Sequence, residues 1–107
     1  MEFLGILYLE RFPETDREDW ANAILGYCRE MQRLDGVNFA RFFWVDANRI
    51  AIIIAADTAD ARDAAMRNTT PRIARAGFDV LDMSRLTRSE RLSDPRQAMY
   101  TYRTAGR

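Results

Sequence analysis

Six residues carry what chemistry this sequence has to offer. Four of them, Asn38, Arg41, Phe42 and Trp44, lie within the aromatic stretch VNFARFFWV (37–45). An Asn side-chain N–H can hold an enolate or phenolate oxygen, and a Trp ring can stack on a flat molecule while donating one hydrogen bond. The alternative reading is that Asn38 caps the start of a strand and Trp44 is core. Arg41 is a charge set between Phe39 and Phe43, so it needs a partner. That partner is either an anionic ligand or a carboxylate, supplied by a second copy of the chain or by Asp79 or Asp82. Tyr27 is a possible proton donor or a flat pocket wall, and Phe42 shares the face of Trp44. Asp82 interrupts an apolar run; buried, it would have a raised pKa and serve as the base. On an exposed sheet edge it would serve only solubility.

The residues that are missing narrow the field further. All 16 basic residues are Arg, and the sequence has no His and no Lys. That removes the commonest metal ligand, the usual axial haem ligand, the commonest general base and any Schiff-base lysine. No cofactor is expected. The single Cys28 has neither a disulfide partner nor a His to activate it, and reads as a small buried helix residue in a reducing cytoplasm. Sixteen acidic residues balance the sixteen basic ones, so the surplus of positive charge that nucleic acid or a membrane surface requires is absent. No stretch reaches the ~18 apolar residues of a membrane span, and the N-terminus does not read as a signal peptide.

The elements that must position these residues follow from periodicity, for one domain over residues 1–107 with a core at 1–86 and an extension at 87–107. FLGILYL (3–9) is apolar on both faces and predicts a strand. A helix starts near Thr15, in capping-box spacing with Glu18, and carries Trp20, Ala23, Ile24, Tyr27, Cys28, Met31 and Leu34 on one face until Gly36 ends it. Residues 37–45 and 49–56 predict a hairpin across the three-residue loop Asp46-Ala47-Asn48, pairing Val45 with Arg49. An Ala-rich helix capped by Asp57 or Thr58 runs to about Asn68. A break follows at 68–70, and Thr70-Pro71 opens a short helical turn ending at Gly77. Phe78 to Leu86 is expected to be the fourth strand. Asp94-Pro95 opens either a further helix or, through Met99 to Tyr102, an added strand.

That order is the split βαβ pattern: an α+β, ferredoxin-like βαββαβ fold with an antiparallel sheet and both helices on one face. The second and third strands are nevertheless apolar on both faces. Phe39 and Phe43 lie with Ala51, Ile53 and Ala55 on one side; Phe42 and Trp44 lie with Ile50, Ile52 and Ile54 on the other. The helix-free face therefore needs a cover, which is either a second copy of the sheet, giving a homodimer, or the C-terminal extension. The aliphatic-rich face should be the helix side, with a pocket there lined by Asn38, Trp44 and Tyr27.

With its elements placed, the chain resembles the dimeric α/β-barrel superfamily, and within it the antibiotic-biosynthesis monooxygenases and small polyketide cyclases. The features that carry this are Gly36-Val37 opening the second strand, the Asp46-Ala47-Asn48-Arg49 hairpin, Asn68-Thr69-Thr70-Pro71 breaking the second helix, and the tail AMYTYRTA (98–105). The resemblance implies a dimeric barrel, a ligand cleft between sheet and helices, and a cofactor-independent enzyme acting on a hydrophobic aromatic or polyketide-like compound. The alternative is a non-catalytic binding or accessory dimer. Asn and Trp on a central strand are typical of the monooxygenase branch, but Asn38 and Trp44 are six residues apart where that branch implies four. Branches that rely on His are ruled out.

Overall fold

A computed structural model describes residues 2–67 and 70–93. The elements in order are β1 (Phe3–Arg11), α1 (Arg17–Gln32), β2 (Val37–Asp46), β3 (Arg49–Ala56), α2 (Ala59–Arg67), α3 (Pro71–Asp82) and β4 (Ser84–Leu92). The strands form one antiparallel sheet in the order β2-β3-β1-β4, the ferredoxin-like arrangement. Asn68, Thr69, Asp94-Pro95 and the aromatic patch at 99–102 lie outside the described residues.

The core is built on the helix side of the sheet. Ile50, Ile52 and Ile54 of β3 are fully buried there, beside Leu7 and Leu9 of β1 and Ala40 of β2. Trp20, Ile24, Tyr27, Cys28 and Met31 of α1 cover this row, joined by Ala65 of α2 and by Ile73 and Val80 of α3. Gly5 lets α2 come close: a Cβ there would lie 2.2 Å from the Met66 sulfur.

Local signals set most of the boundaries. Asp16, rather than Thr15, caps α1; its carboxylate accepts hydrogen bonds from the Glu18 and Asp19 N–H groups, both 3.1 Å. The α1 helix ends at Gln32, so Gly36 is not its cap. Gly36 instead takes φ 82° in the turn that enters β2. Thr58 caps α2 through Ala61 N–H, and Thr70 caps α3 with Pro71 at its start, as the Thr70-Pro71 pair implied.

Two expectations need correcting. The helix opened by Pro71 does not stop at Gly77; it continues to Asp82, and β4 is Ser84–Leu92. Ile73, Gly77 and Val80 are buried at helical spacing, whereas Phe78 and Leu81, which lent the segment its strand-like look, are 64% and 48% exposed. The true fourth strand, SRLTRSERL, is a polar edge strand whose arginines discourage pairing with other chains. The hairpin also differs. Asp46 pairs with Arg49 around Ala47-Asn48, and the extra residue is absorbed as a bulge at Val45. Trp44 still faces Ile50 and Phe42 faces Ile52, so the face assignment holds.

Arg62 fastens α2 to the sheet. It is 8% exposed, donates to the Leu92 carbonyl (3.1 Å), pairs with Asp63 (3.0 Å) and lies over the Phe3 ring. Arg62→Ala is expected to lower unfolding free energy by about 2 kcal/mol, because it removes a nearly buried side chain and leaves the Leu92 carbonyl without its donor, while Asp63 keeps Arg91 as a partner. Arg91→Ala, which removes an exposed partner of the same Asp63, should cost under ~1 kcal/mol. Urea denaturation of the two variants makes the comparison.

Candidate functional site

The structure distributes the six sequence candidates over separate surfaces. Asn38 sits at a bulge near the start of β2 and is exposed; its amide donates to Glu2 (3.2 Å) and Asp57 (3.0 Å). The bulge takes it out of the even-numbered row that holds Ala40, Phe42 and Trp44. Arg41 is exposed on the helix-free face, 4.7 Å over the Phe39 ring. Asp79 and Asp82 belong to α3, across the sheet, so neither is its partner. Asp82 ends that helix and is exposed, not a buried strand carboxylate. Tyr27 is buried under α1, and Phe42 is half-buried against the same core. The expected pocket lined jointly by Asn38, Trp44 and Tyr27 is therefore not assembled, and side chains fill the helix–sheet interior where it was placed.

Trp44 lies in a different constellation, at the hairpin end of the sheet. Its ring is 38% exposed and meets Trp20 of α1 edge to face, with centroids 5.7 Å apart and planes at 70°. The Arg17 guanidinium lies 3.9 Å over the Trp44 ring. These contacts arise because α1 begins at this end: Arg17 and Trp20 are one turn apart on the same helix face, and Trp44 is the last helix-facing residue of β2 before its bulge. At the same end Arg11 joins the loop before α1 to the hairpin tip. It donates to the Thr15 carbonyl and to Asn48 Oδ1 (2.7 Å). The Asp46 carboxyl of that hairpin is held below its ordinary pKa, chiefly by the side-chain hydrogen bond from Arg49.

Two buried donors at this end lack an acceptor among the described residues. One is the Trp20 indole Nε1–H, on a residue with no exposed surface; the other is Arg11 Nε–H. A buried N–H without a partner costs roughly 1–3 kcal/mol, so native structures seldom keep one without a use. Every polar group that Trp20, Trp44, Arg11 and Arg17 bring to this corner is a donor, and two of the four residues are cationic. Such a corner suits an oxygen acceptor on a flat apolar molecule. Neither Trp20 nor Arg17 announces itself in the sequence: Trp20 reads as one more core position of an amphipathic helix. The available signal was a Trp in a first helical turn with an Arg three residues before it. Among the described residues no three His, Cys, Asp or Glu side chains gather as metal ligands.

Similarity to known proteins is confined to the fold. No protein-family model matches the sequence, and no curated protein matches it. Solved structures do match. SnoaB of Streptomyces nogalater, a cofactor-independent oxygenase, superposes with a TM-score of 0.74 at 10% identity, over 87% of this chain and 92% of that one. A candidate antibiotic biosynthesis monooxygenase from Nitrosomonas europaea gives 0.71 at 14% identity, over 87% and 98%. Rv0793 from Mycobacterium tuberculosis gives 0.69 at 14% identity, over 88% and 95%. The chain shares the ferredoxin-like fold of these proteins.

Cys28 plays no part in the corner. Burial pushes its thiol up to about 12, so it stays protonated and unreactive. Its proton is held more tightly folded than unfolded, so the stability it contributes is present below its ordinary value of 9.0 and is lost as pH rises from there toward 12. A thiol-reactive dye at pH 8 is expected to label the folded chain only at the rate of global opening, and the urea-unfolded chain at once.

Proposed function

We propose that this protein is a cofactor-independent enzyme that acts on a hydrophobic aromatic or polyketide-like small molecule, held at the Trp20–Trp44 corner of a homodimer. The observation that carries this reading is the fully buried Trp20 indole N–H, without an acceptor among the described residues, on a ring packed edge to face with a half-open Trp44. A flat phenol stacked on Trp44 would bring its oxygen toward Trp20 N–H and within range of the Arg17 and Arg11 charges. Donors and cations favour the deprotonated phenolate or enolate, the electron-rich form that reacts with dioxygen. Arg17 is exposed, so it is free to lie over either the indole or a ring stacked upon it. The likeness of fold to SnoaB supports this class of reaction. Of the residues singled out in the sequence, Trp44 is proposed as the stacking wall and Phe42 as apolar backing. Tyr27 is proposed to shape the interior beneath. Asn38, at the opposite end of β2, and Arg41, on the helix-free face, are proposed to make no contact with a ligand in the single chain; Asp82 ends α3 next to Met83, whose carbonyl accepts from Phe12 N–H, and is proposed to have no role in catalysis.

The dimer would use the helix-free face. Leu4, Ile6, Tyr8, Phe39, Phe43, Ala51, Ile53 and Ala55 share that side of the sheet by register; Leu4, Ile6, Ala51 and Ala55 are already buried in the single chain, and Phe43 is 46% exposed. A second copy of the same face would cover it. A competing reading, an accessory or binding dimer without catalysis, draws support from the filled helix–sheet interior.

Oxygen uptake with a tricyclic phenol separates these readings. Enzyme is expected to raise uptake well above the spontaneous rate, and Trp44→Ala to reduce that gain about tenfold, the loss of ~1.4 kcal/mol of stacking. Binding without uptake supports the non-catalytic dimer; neither binding nor uptake leaves only the accessory role. Sedimentation of the wild-type chain is expected at twice its 12.4 kDa mass. Phe43→Glu, placed where the side chain is open to solvent in the single chain, should shift it to monomer without loss of helix content.

A further inference from the structure

The helical layer carries a groove away from the aromatic corner. A groove of about 610 Å³ runs between α1 and α3. Its α1 wall is Ala23, Gly26, Tyr27 and Glu30, which share one helix face. Its α3 wall includes Arg72, Arg75, Ala76 and Asp79.

Gly26 is the anomaly. It stands in the interior of a sixteen-residue helix, where Gly is the least favourable residue after Pro. Glycine is tolerated in such places when a neighbour comes too close for a Cβ. Here a Cβ would meet nothing within 4 Å, and Gly26 has no positive φ. Neither packing nor backbone geometry explains it. What Gly26 does provide is open space at the floor of the groove, flanked by the equally small Ala23 and Ala76.

The charges around that space are specific. Glu30 is engaged with Arg72 at 3.1 Å at one end. Arg75 and Asp79 have no ion pair or hydrogen bond among the described residues, although they stand four residues apart on one helix face. A cation placed N-terminal to its acid at this spacing is the poorer orientation for pairing, which leaves both side chains available. A guanidinium takes a carboxylate bidentately, and a carboxylate takes an ammonium.

We propose that the α1–α3 groove binds a small amphoteric molecule of the amino-acid class. Its carboxylate sits on Arg75, its ammonium on Asp79, and its apolar side chain lies over Ala23, Gly26 and Ala76. The net charge of Glu30, Arg72, Arg75 and Asp79 is zero, which favours a zwitterion over a simple anion or cation. The site is independent of the aromatic corner: neither Trp20 nor Trp44 lines it.

The test is calorimetric titration of the full chain with three probes built on one apolar body: L-phenylalanine, 3-phenylpropionate and phenethylamine. Phenylalanine is expected to bind most tightly, and each single-charge probe about tenfold more weakly, as loss of one charge-assisted contact implies. Gly26→Leu should abolish binding while its urea midpoint stays equal to or above that of the wild type. Arg75→Gln, an exposed substitution that leaves the fold intact, should weaken phenylalanine to the level of phenethylamine. Absence of binding by all three probes, equal binding of the three, or undiminished binding in folded Gly26→Leu overturns the proposal.

Discussion

The structure depends on covering one row of side chains, Ile50, Ile52 and Ile54 on the helix side of β3. All three have no exposed surface. At roughly 25 cal/mol per Å² of apolar surface, the burial of such a row outweighs any single hydrogen bond or surface ion pair in the chain. It fixes what must lie over it. The Trp20-to-Met31 face of α1 and the Ile73-to-Val80 face of α3 are held over one sheet face, with α2 admitted close to β1 by the missing side chain of Gly5. Because α1 must lie along this row, its first turn arrives at the hairpin end, and there Trp20 meets Trp44. The candidate site is thus a by-product of core packing, sharpened by two bulges. The one at Val45 ends the helix-facing row on Trp44, and the one at Asn38 removes that residue from it.

How much of this was legible depended on whether the signal was periodic. The isoleucines of β3 alternate with Ala51, Ile53 and Ala55, so the strand and its two faces could be read directly. The hairpin register was legible in effect but not in cause. A three-residue loop and a two-residue turn with a bulge give the same parity, so Phe42 and Trp44 fall on the expected face by either route. Asn38 was not legible, because a bulge adds a residue without leaving a pattern in the side chains. The α3–β4 boundary failed for a related reason. Gly77 looks like a stop but is a buried interior position, and β4 hides its strand identity behind an edge composed of Arg, Ser, Thr and Glu. That the Trp20 N–H has no acceptor among the described residues could not be foreseen at all, since satisfaction of a polar atom is a property of three-dimensional neighbours.

A chain whose cations are all arginine also makes its surfaces differently from one that uses lysine. Among the described residues four guanidiniums lie over aromatic rings: Arg17 on Trp44, Arg41 on Phe39, Arg62 on Phe3 and Arg88 on Tyr8. Planar guanidinium groups stack where an ammonium would not, and they lose little hydration in doing so. Two of these pairs, at Arg41 and Arg88, stand on the helix-free face and partly shield its rings. They make that face tolerable in a single chain while leaving Phe43 open for contact.

The central claim is that the Trp20 indole N–H, which has no acceptor among the described residues, receives a ligand oxygen. The chain contains two Trp residues, so its indole N–H signals in a proton–nitrogen correlation spectrum are two and can be assigned by a single Trp44→Phe substitution. On adding a tricyclic phenol, the Trp20 indole proton is expected to move downfield as it gains an acceptor, with Trp44 shifting in parallel from ring stacking. A phenol that demonstrably binds while the Trp20 resonance stays in place would contradict it.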